Sequence, residues 1–254
     1  MEMMPAIQIT ALTKQFADKK VAVDNLNMTV PTGTMFGFVG PNGAGKTTTI
    51  SMISGLLRPT AGSVAVLGQD VWSDPIASKA RLGVLPERDQ LFERLSGFEH
   101  LRYTGLLRGL AEADTVRRAE ELLEALELTA DKNKPIADYS TGMAKKIGLA
   151  TALIHAPRVL LLDEPFEAVD PVSAARIRDI LKAYVADGGT VVFSSHVMEL
   201  VERLCDHVAV INKGALVAAG TLAEVSNGQS LQDRFLHLVG SGELAEGSLS
   251  WLHA

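Results

Sequence analysis

One stretch constrains this chain more than any other: Met35-Phe36-Gly37-Phe38-Val39-Gly40-Pro41-Asn42-Gly43-Ala44-Gly45-Lys46-Thr47-Thr48. An uninterrupted apolar strand runs straight into a glycine-rich loop of the form G-x-x-x-x-G-K-[ST], and a helix-like segment starts near Lys46. Glycines let a backbone curl until successive N–H groups face phosphate oxygens. The helix behind the loop adds the partial positive charge of its N-terminus. Lys46 then reaches the β- and γ-phosphates of a nucleotide, and the Thr47 hydroxyl is a ligand for Mg²⁺. The competing reading is a glycine turn that holds no nucleotide, and a motif this complete, in this context, leaves it little room. Gly40, Pro41, Asn42, Gly43, Ala44, Gly45, Lys46, Thr47 and Thr48 are therefore candidate nucleotide-binding residues.

The rest of the chain is read around that loop. Ala6–Thr10 and Leu26–Val30 alternate apolar and polar residues like half-buried strands, with turns at Asp18-Lys19-Lys20 and Pro31-Thr32-Gly33. Ser63–Gly68 adds a short strand. From about Gly97 to Leu128 the spacing becomes helical, with Val116, Ala119, Leu122, Leu123 and Leu126 on one face and charges on the other. Beyond Pro157, strands at Val159–Leu162 and Thr190–Ser194 alternate with helices at Val172–Ala186 and Met198–Cys205, which implies parallel strands joined by crossover helices. The expectation is an α/β fold: a P-loop core with a mainly parallel sheet, an antiparallel β portion at the N-terminus, and an α-helical insertion over residues 90–155. One domain spans residues 6–240, and a Ser/Gly/Glu-rich tail occupies 241–254.

Bulk properties narrow the function. Apolar residues make up 47% of the 254, enough for a large core, and the net charge of −6 lacks the basic footprint of a nucleic-acid binder. Cys205, the single cysteine, lies in the apolar pattern Val201, Leu204, Cys205, Val208 and reads as a small core residue. No apolar run approaches the ~18 residues that cross a bilayer. Met1–Pro5 has no secretory pattern, so the chain is expected in the cytoplasm.

Two further elements complete a site. Val159-Leu160-Leu161-Leu162-Asp163-Glu164-Pro165 is an apolar strand ending in two acids, placed at the same sheet edge as the glycine loop. Asp163 can hold Mg²⁺ through water, and Glu164 can polarise the water that attacks the γ-phosphate. His196 follows the strand Val191–Ser195 and can reach the γ-phosphate from that edge.

The order of the loop, Tyr139-Ser140-Thr141-Gly142-Met143, Asp163-Glu164, Ala168-Val169-Asp170 and His196 resembles an ABC ATPase cassette, over nearly the whole chain from about Ile7 to Gly240. The resemblance implies ATP hydrolysis with Mg²⁺, in which Lys46, Glu164 and His196 act on the γ-phosphate and Thr47, Asp163 and Glu87 serve the metal. Phe16 matches the aromatic residue that stacks on adenine; ordinary core packing is the equal alternative. Ser140, Thr141 and Gly142 resemble the signature that binds the γ-phosphate held by the opposite subunit, and Asp170 ends the loop that crosses the dimer interface. A helix-capping role for Ser140 is compatible with that task. Thr141 departs from the usual Gly, Met143 from the usual Gln, and Glu87 from the Gln of the loop that senses Mg²⁺. Lys145 and Lys146 read as a solvated helix face.

The family further implies a dimer, with a second copy or a paralogue, on the cytoplasmic face of an integral-membrane transporter subunit. Residues 87–109, with Leu91, Phe92 and Leu95, are the expected docking surface unless those residues are core. Tyr139-Ser140…Met143 and Leu231, Phe235 and Leu238 on one helix face resemble bacterial exporters of drugs, antibiotics, peptides or lipids. A soluble ABC ATPase without a transport role usually carries two cassettes or a long coiled-coil arm; here Ser140 follows Gly40 by about one hundred residues, which leaves no room for an arm. A P-loop kinase or GTPase would explain Lys46 and Thr47 but not the signature, Glu164 or His196.

Overall fold

The structure is a computed structural model that describes residues 4–240. Two sheets share the architecture. The first is antiparallel, built from β1 (Ile7–Gln15), β2 (Val21–Val30), β4 (Ala61–Val66) and β5 (Gln69–Asp70) in the order β2-β1-β4-β5. The second contains β3 (Met35–Val39), β6 (Leu82–Val84), β7 (Val159–Leu162), β8 (Thr190–Ser195), β9 (His207–Asn212) and β10 (Ala215–Thr221) in the order β10-β9-β3-β8-β7-β6. Every pairing in it is parallel except the β9–β10 hairpin.

Parallel strands covered on both faces read as continuous apolar runs, and β7 is one. Its alternate residues serve two cores. Val159 and Leu161 pack with Phe36, Phe38 and Val192 between the sheets, together with α1 (Lys46–Ile53). Leu160 and Leu162 pack with Val191 and Phe193 on the other face, continuous with Leu101, Leu123 and Ile147 of the helical insertion.

That insertion holds α3 (Gly97–Leu107), α4 (Glu112–Ala125) and α5 (Thr141–Leu153), after the short α2 (Pro75–Ala80). The helical stretch expected over 97–128 is thus two helices, divided at Gly109, whose φ of 81° no helix accommodates. Ser96 and Glu99 cap α3 reciprocally, at 3.2 and 2.9 Å. The helix α4 buries Thr115, Ala119 and Leu123 and turns Arg117 outward to Asp114 and Glu121. After β7 come α6 (Pro171–Ala186), α7 (Met198–Leu204), α8 (Leu222–Ser226) and α9 (Leu231–Val239). Leu231 is fully buried on α9, and Phe235 and Leu238 pack beside it.

Several expectations need adjustment. Strands β1 and β2 extend to Gln15 and back to Val21, because register shifts and the positive φ of Ala11 and Asn25 interrupt the alternation that marks a strand in sequence. Lys146 is buried rather than solvated, and Lys145 is half-buried. Leu91 belongs to the core, whereas Phe92 is exposed. Cys205 is buried as expected, and burial pushes its thiol pKa up, so it stays protonated. The tail 241–254 lies outside the described residues.

Candidate active site

The site lies where β3, β7 and β8 end. The chain leaves β3 at Val39, turns through Gly40–Gly45 and enters α1 at Lys46. Gly45 is the N-cap of α1 at φ 105°, and a Cβ there would lie 2.4 Å from the carbonyl oxygen of Ala22. Only glycine fits. Having no side chain, it caps none of the first-turn amides, which are left for an anion. The loop is braced from within and from outside: the Ala44 N–H donates to the Pro41 carbonyl at 3.0 Å, and the Gly214 N–H donates to the Ala44 carbonyl at 2.9 Å.

Lys46 is buried. Its Nζ donates to the Gly40 carbonyl at 2.7 Å and lies 3.8 Å from Glu164 Oε1. The other oxygen, Glu164 Oε2, is 3.1 Å from His196 Nδ1. Three residues from three strand ends thus form one chain of contacts, Lys46–Glu164–His196. Glu164 sits at φ +43°, in the left-handed region that costs a non-glycine residue about 1 kcal/mol or more. Ser194, on β8, holds it there: its Oγ accepts the Glu164 N–H at 2.8 Å and donates to Asp163 Oδ1. Sequence reasoning missed Ser194; the available signal was a polar residue inside an otherwise apolar strand.

These groups border a cavity of about 790 Å³. Of the expected residues, it gathers Phe16, Asn42–Thr48, Asp163, Glu164 and His196. Phe16 is exposed on its wall with Lys14 Nζ 5.4 Å from the ring centroid, so it is no core residue. Gly40 and Pro41 stay behind the cavity, their carbonyls turned to Lys46. Lys20 and Lys213 also line it and add positive charge that no motif marks.

Glu87, Ser140, Thr141, Gly142 and Asp170 do not line the cavity. Glu87 is exposed beyond β6, its N–H bonded to Gln90 Oε1 at 3.3 Å. Ser140 is the exposed N-cap of α5 and accepts the Met143 N–H at 3.2 Å. Asp170 caps α6 through the amides of Val172 and Ser173, at 3.1 and 3.0 Å. The bonds from Ser173 hold the Asp170 carboxyl below the usual carboxylate range. The two caps are neighbours: a Cβ on Gly142 would lie 4.0 Å from Asp170 Oδ2. The expected residues thus form two sites on one chain, a cavity and a separate exposed edge.

Among the described residues no helix is long and apolar enough to cross a membrane.

Comparison with known proteins agrees with this geometry. Residues 23–167 match the ABC transporter family. A linearmycin resistance ATP-binding protein of Bacillus subtilis is 37% identical over 84% of this chain and 68% of its own length. A Nod factor export ATP-binding protein of Cupriavidus metallidurans is 37% identical over 86% of this chain and 72% of its own. A solved structure of an ATP-binding subunit of an ABC transporter superposes with a TM-score of 0.85 at 28% identity, covering 92% of this chain and 99% of that one. With the family match covering more than half of it and relatives of this identity, the chain belongs to the ABC transporter family, as a subunit that binds and hydrolyses ATP.

Proposed function

We propose that this subunit drives export, by closing on a second ATPase subunit around two ATP molecules and opening after hydrolysis. One observation carries the reading: Lys46, Glu164 and His196 converge on the cavity, while Ser140 and Thr141 stand exposed outside it with Gly142 half-buried beside them. A signature edge that cannot serve its own cavity is suited to that of a neighbour. The N-terminus of α5, the Ser140 hydroxyl and the Gly142 amide form its anion site. Export rests on the relatives, one named for a resistance and one for an export function.

In each composite site Asn42–Thr48 wrap the phosphates and Phe16 stacks on the base. Lys46 exchanges its carbonyl and carboxylate contacts for phosphate oxygens. Glu164 is then free to take up the proton of the attacking water, with His196 holding the γ-phosphate side. Thr47 and Asp163 would hold Mg²⁺, which would neutralise phosphate charge, and Glu87, outside the cavity of the single subunit, would join them on closure. One hydroxyl and one cavity carboxylate suit a hard cation that takes most of its ligands from substrate and water. Binding of ATP selects the closed pair and hydrolysis removes the ligand that favours it.

We place the subunit peripherally on the cytoplasmic face of the membrane, against an integral-membrane transporter subunit. A cavity of about 730 Å³ in the helical insertion supports this, lined by Leu91, Phe92, Leu95 and Tyr103. Phe92 and Tyr103 are exposed large apolar residues, edge to face at 5.3 Å.

The test pairs Glu164→Gln with Lys46→Ala. Glu164→Gln should bind ATP, turn it over at least 100-fold more slowly than wild type (the lower end of the range for losing a general base, about 10²–10⁴), and sediment as a dimer with ATP but not with ADP. Lys46→Ala should lose nucleotide binding. Undiminished turnover in Glu164→Gln would remove the base, and a monomer under saturating ATP would remove the sandwich.

A further inference from the structure

We propose that Glu127 is a positioning residue that fixes the signature helix α5 against α6, so that Ser140–Gly142 and Asp170 meet the opposite subunit as one rigid edge; this rests on the dimeric reading above. Glu127 closes α4 at φ +57°, a left-handed position where a Cβ costs roughly 1 kcal/mol and glycine costs nothing. The side chain makes two contacts from there. Oε1 accepts from Arg176 of α6 at 3.0 Å, and Oε2 lies 3.9 Å from Lys146 Nζ of α5. One carboxylate thus spans three helices.

The two contacts differ in kind. The Arg176 pair is about half exposed on both sides and is worth little by itself. The Lys146 side chain is only 9% exposed, and Glu127 supplies its one carboxylate within ion-pair range among the described residues. Removing Glu127 takes the one counter-charge from a largely buried side chain, at a cost that moving the helix to hydrate the ammonium further would relieve. Lys146 lies one turn beyond Gly142, and Arg176 about one and a half turns beyond Asp170. A shift that relieves Lys146 therefore displaces the α5 end that presents Ser140, relative to the α6 end capped by Asp170. The nucleotide cavity contains none of Glu127, Lys146 and Arg176.

The experiment uses Glu164→Gln as parent, so that ATP-bound pairs accumulate. Sedimentation gives the ATP concentration for half-maximal pairing; a fluorescent ATP analogue at low protein concentration gives the affinity of the single subunit. Glu127→Gln should raise the pairing midpoint about fivefold, the upper range for one ion contact, with single-subunit affinity unchanged. Glu127→Gly removes the carboxylate and the left-handed strain together, so it should pair as poorly as Glu127→Gln while remaining folded by circular dichroism. Normal pairing in either variant overturns the inference, as does an equal loss of single-subunit affinity. A parent that never pairs with ATP instead overturns the dimeric reading, and the inference with it.

Discussion

Replacing Ser194 by Ala isolates the hydroxyl that organises the two acids. Ser194 is fully buried, and its Oγ serves both neighbours, accepting from the Glu164 amide at 2.8 Å and donating to Asp163. In Ser194→Ala the Glu164 N–H loses its acceptor inside the protein, at a cost of about 1–3 kcal/mol. The same bond holds Glu164 at φ +43°, so the backbone is expected to relax toward an ordinary conformation and carry the carboxylate away from His196 and Lys46. If that energy falls wholly on the transition state, kcat drops roughly 5- to 150-fold. Ser194 does not line the nucleotide cavity, so ATP affinity measured without Mg²⁺ should stay within about twofold, which marks loss of an interaction used only in the chemical step. Steady-state ATPase assays give kcat, equilibrium binding of a fluorescent ATP analogue gives affinity, and circular dichroism checks that the variant is folded. A folded Ser194→Ala protein with wild-type kcat, or one whose loss lies entirely in affinity, would refute the argument.

Two other predictions concern metal and pH. Glu87→Gln should need less Mg²⁺ for half-maximal ATPase, because a carboxylate repels phosphate when metal is absent; superimposable Mg²⁺ titrations would dispose of a metal role for Glu87. His100 is buried, with Nε2 3.0 Å from Thr151 Oγ1, and burial lowers its pKa to about 4. The unfolded chain protonates it near 6.5, so its contribution to stability is complete above that pH and is lost as pH falls toward 4, by at most about 1.4 kcal/mol per pH unit. His155, also lowered to about 4 but less buried, adds to the loss. Urea midpoints at pH 7 and pH 5 should therefore differ less in His100→Gln than in wild type; an unchanged difference would show that His100 is not the group responsible.

The sequence by itself determined the local chemistry. A glycine loop between an apolar strand and a helix has few uses other than holding phosphate, and β3 and β7 occur over the residues their unbroken apolar runs mark. Those patterns survive because short-range sterics and burial on both faces act within a few residues. Capping was legible at Ser140, which caps α5 whatever else it does, whereas the cap that Asp170 places on α6 emerged only from the structure. Only the tertiary structure decided what depends on atoms far apart in the chain. It gathered Lys46, Glu164 and His196 through the parallel order β3-β8-β7 and recruited Ser194. It also buried Lys146, in a helix whose sequence pattern suggests a wet face, and set Glu127 of another segment beside it. Periodicity reports which face of an element is apolar, but not which charge another element will cover.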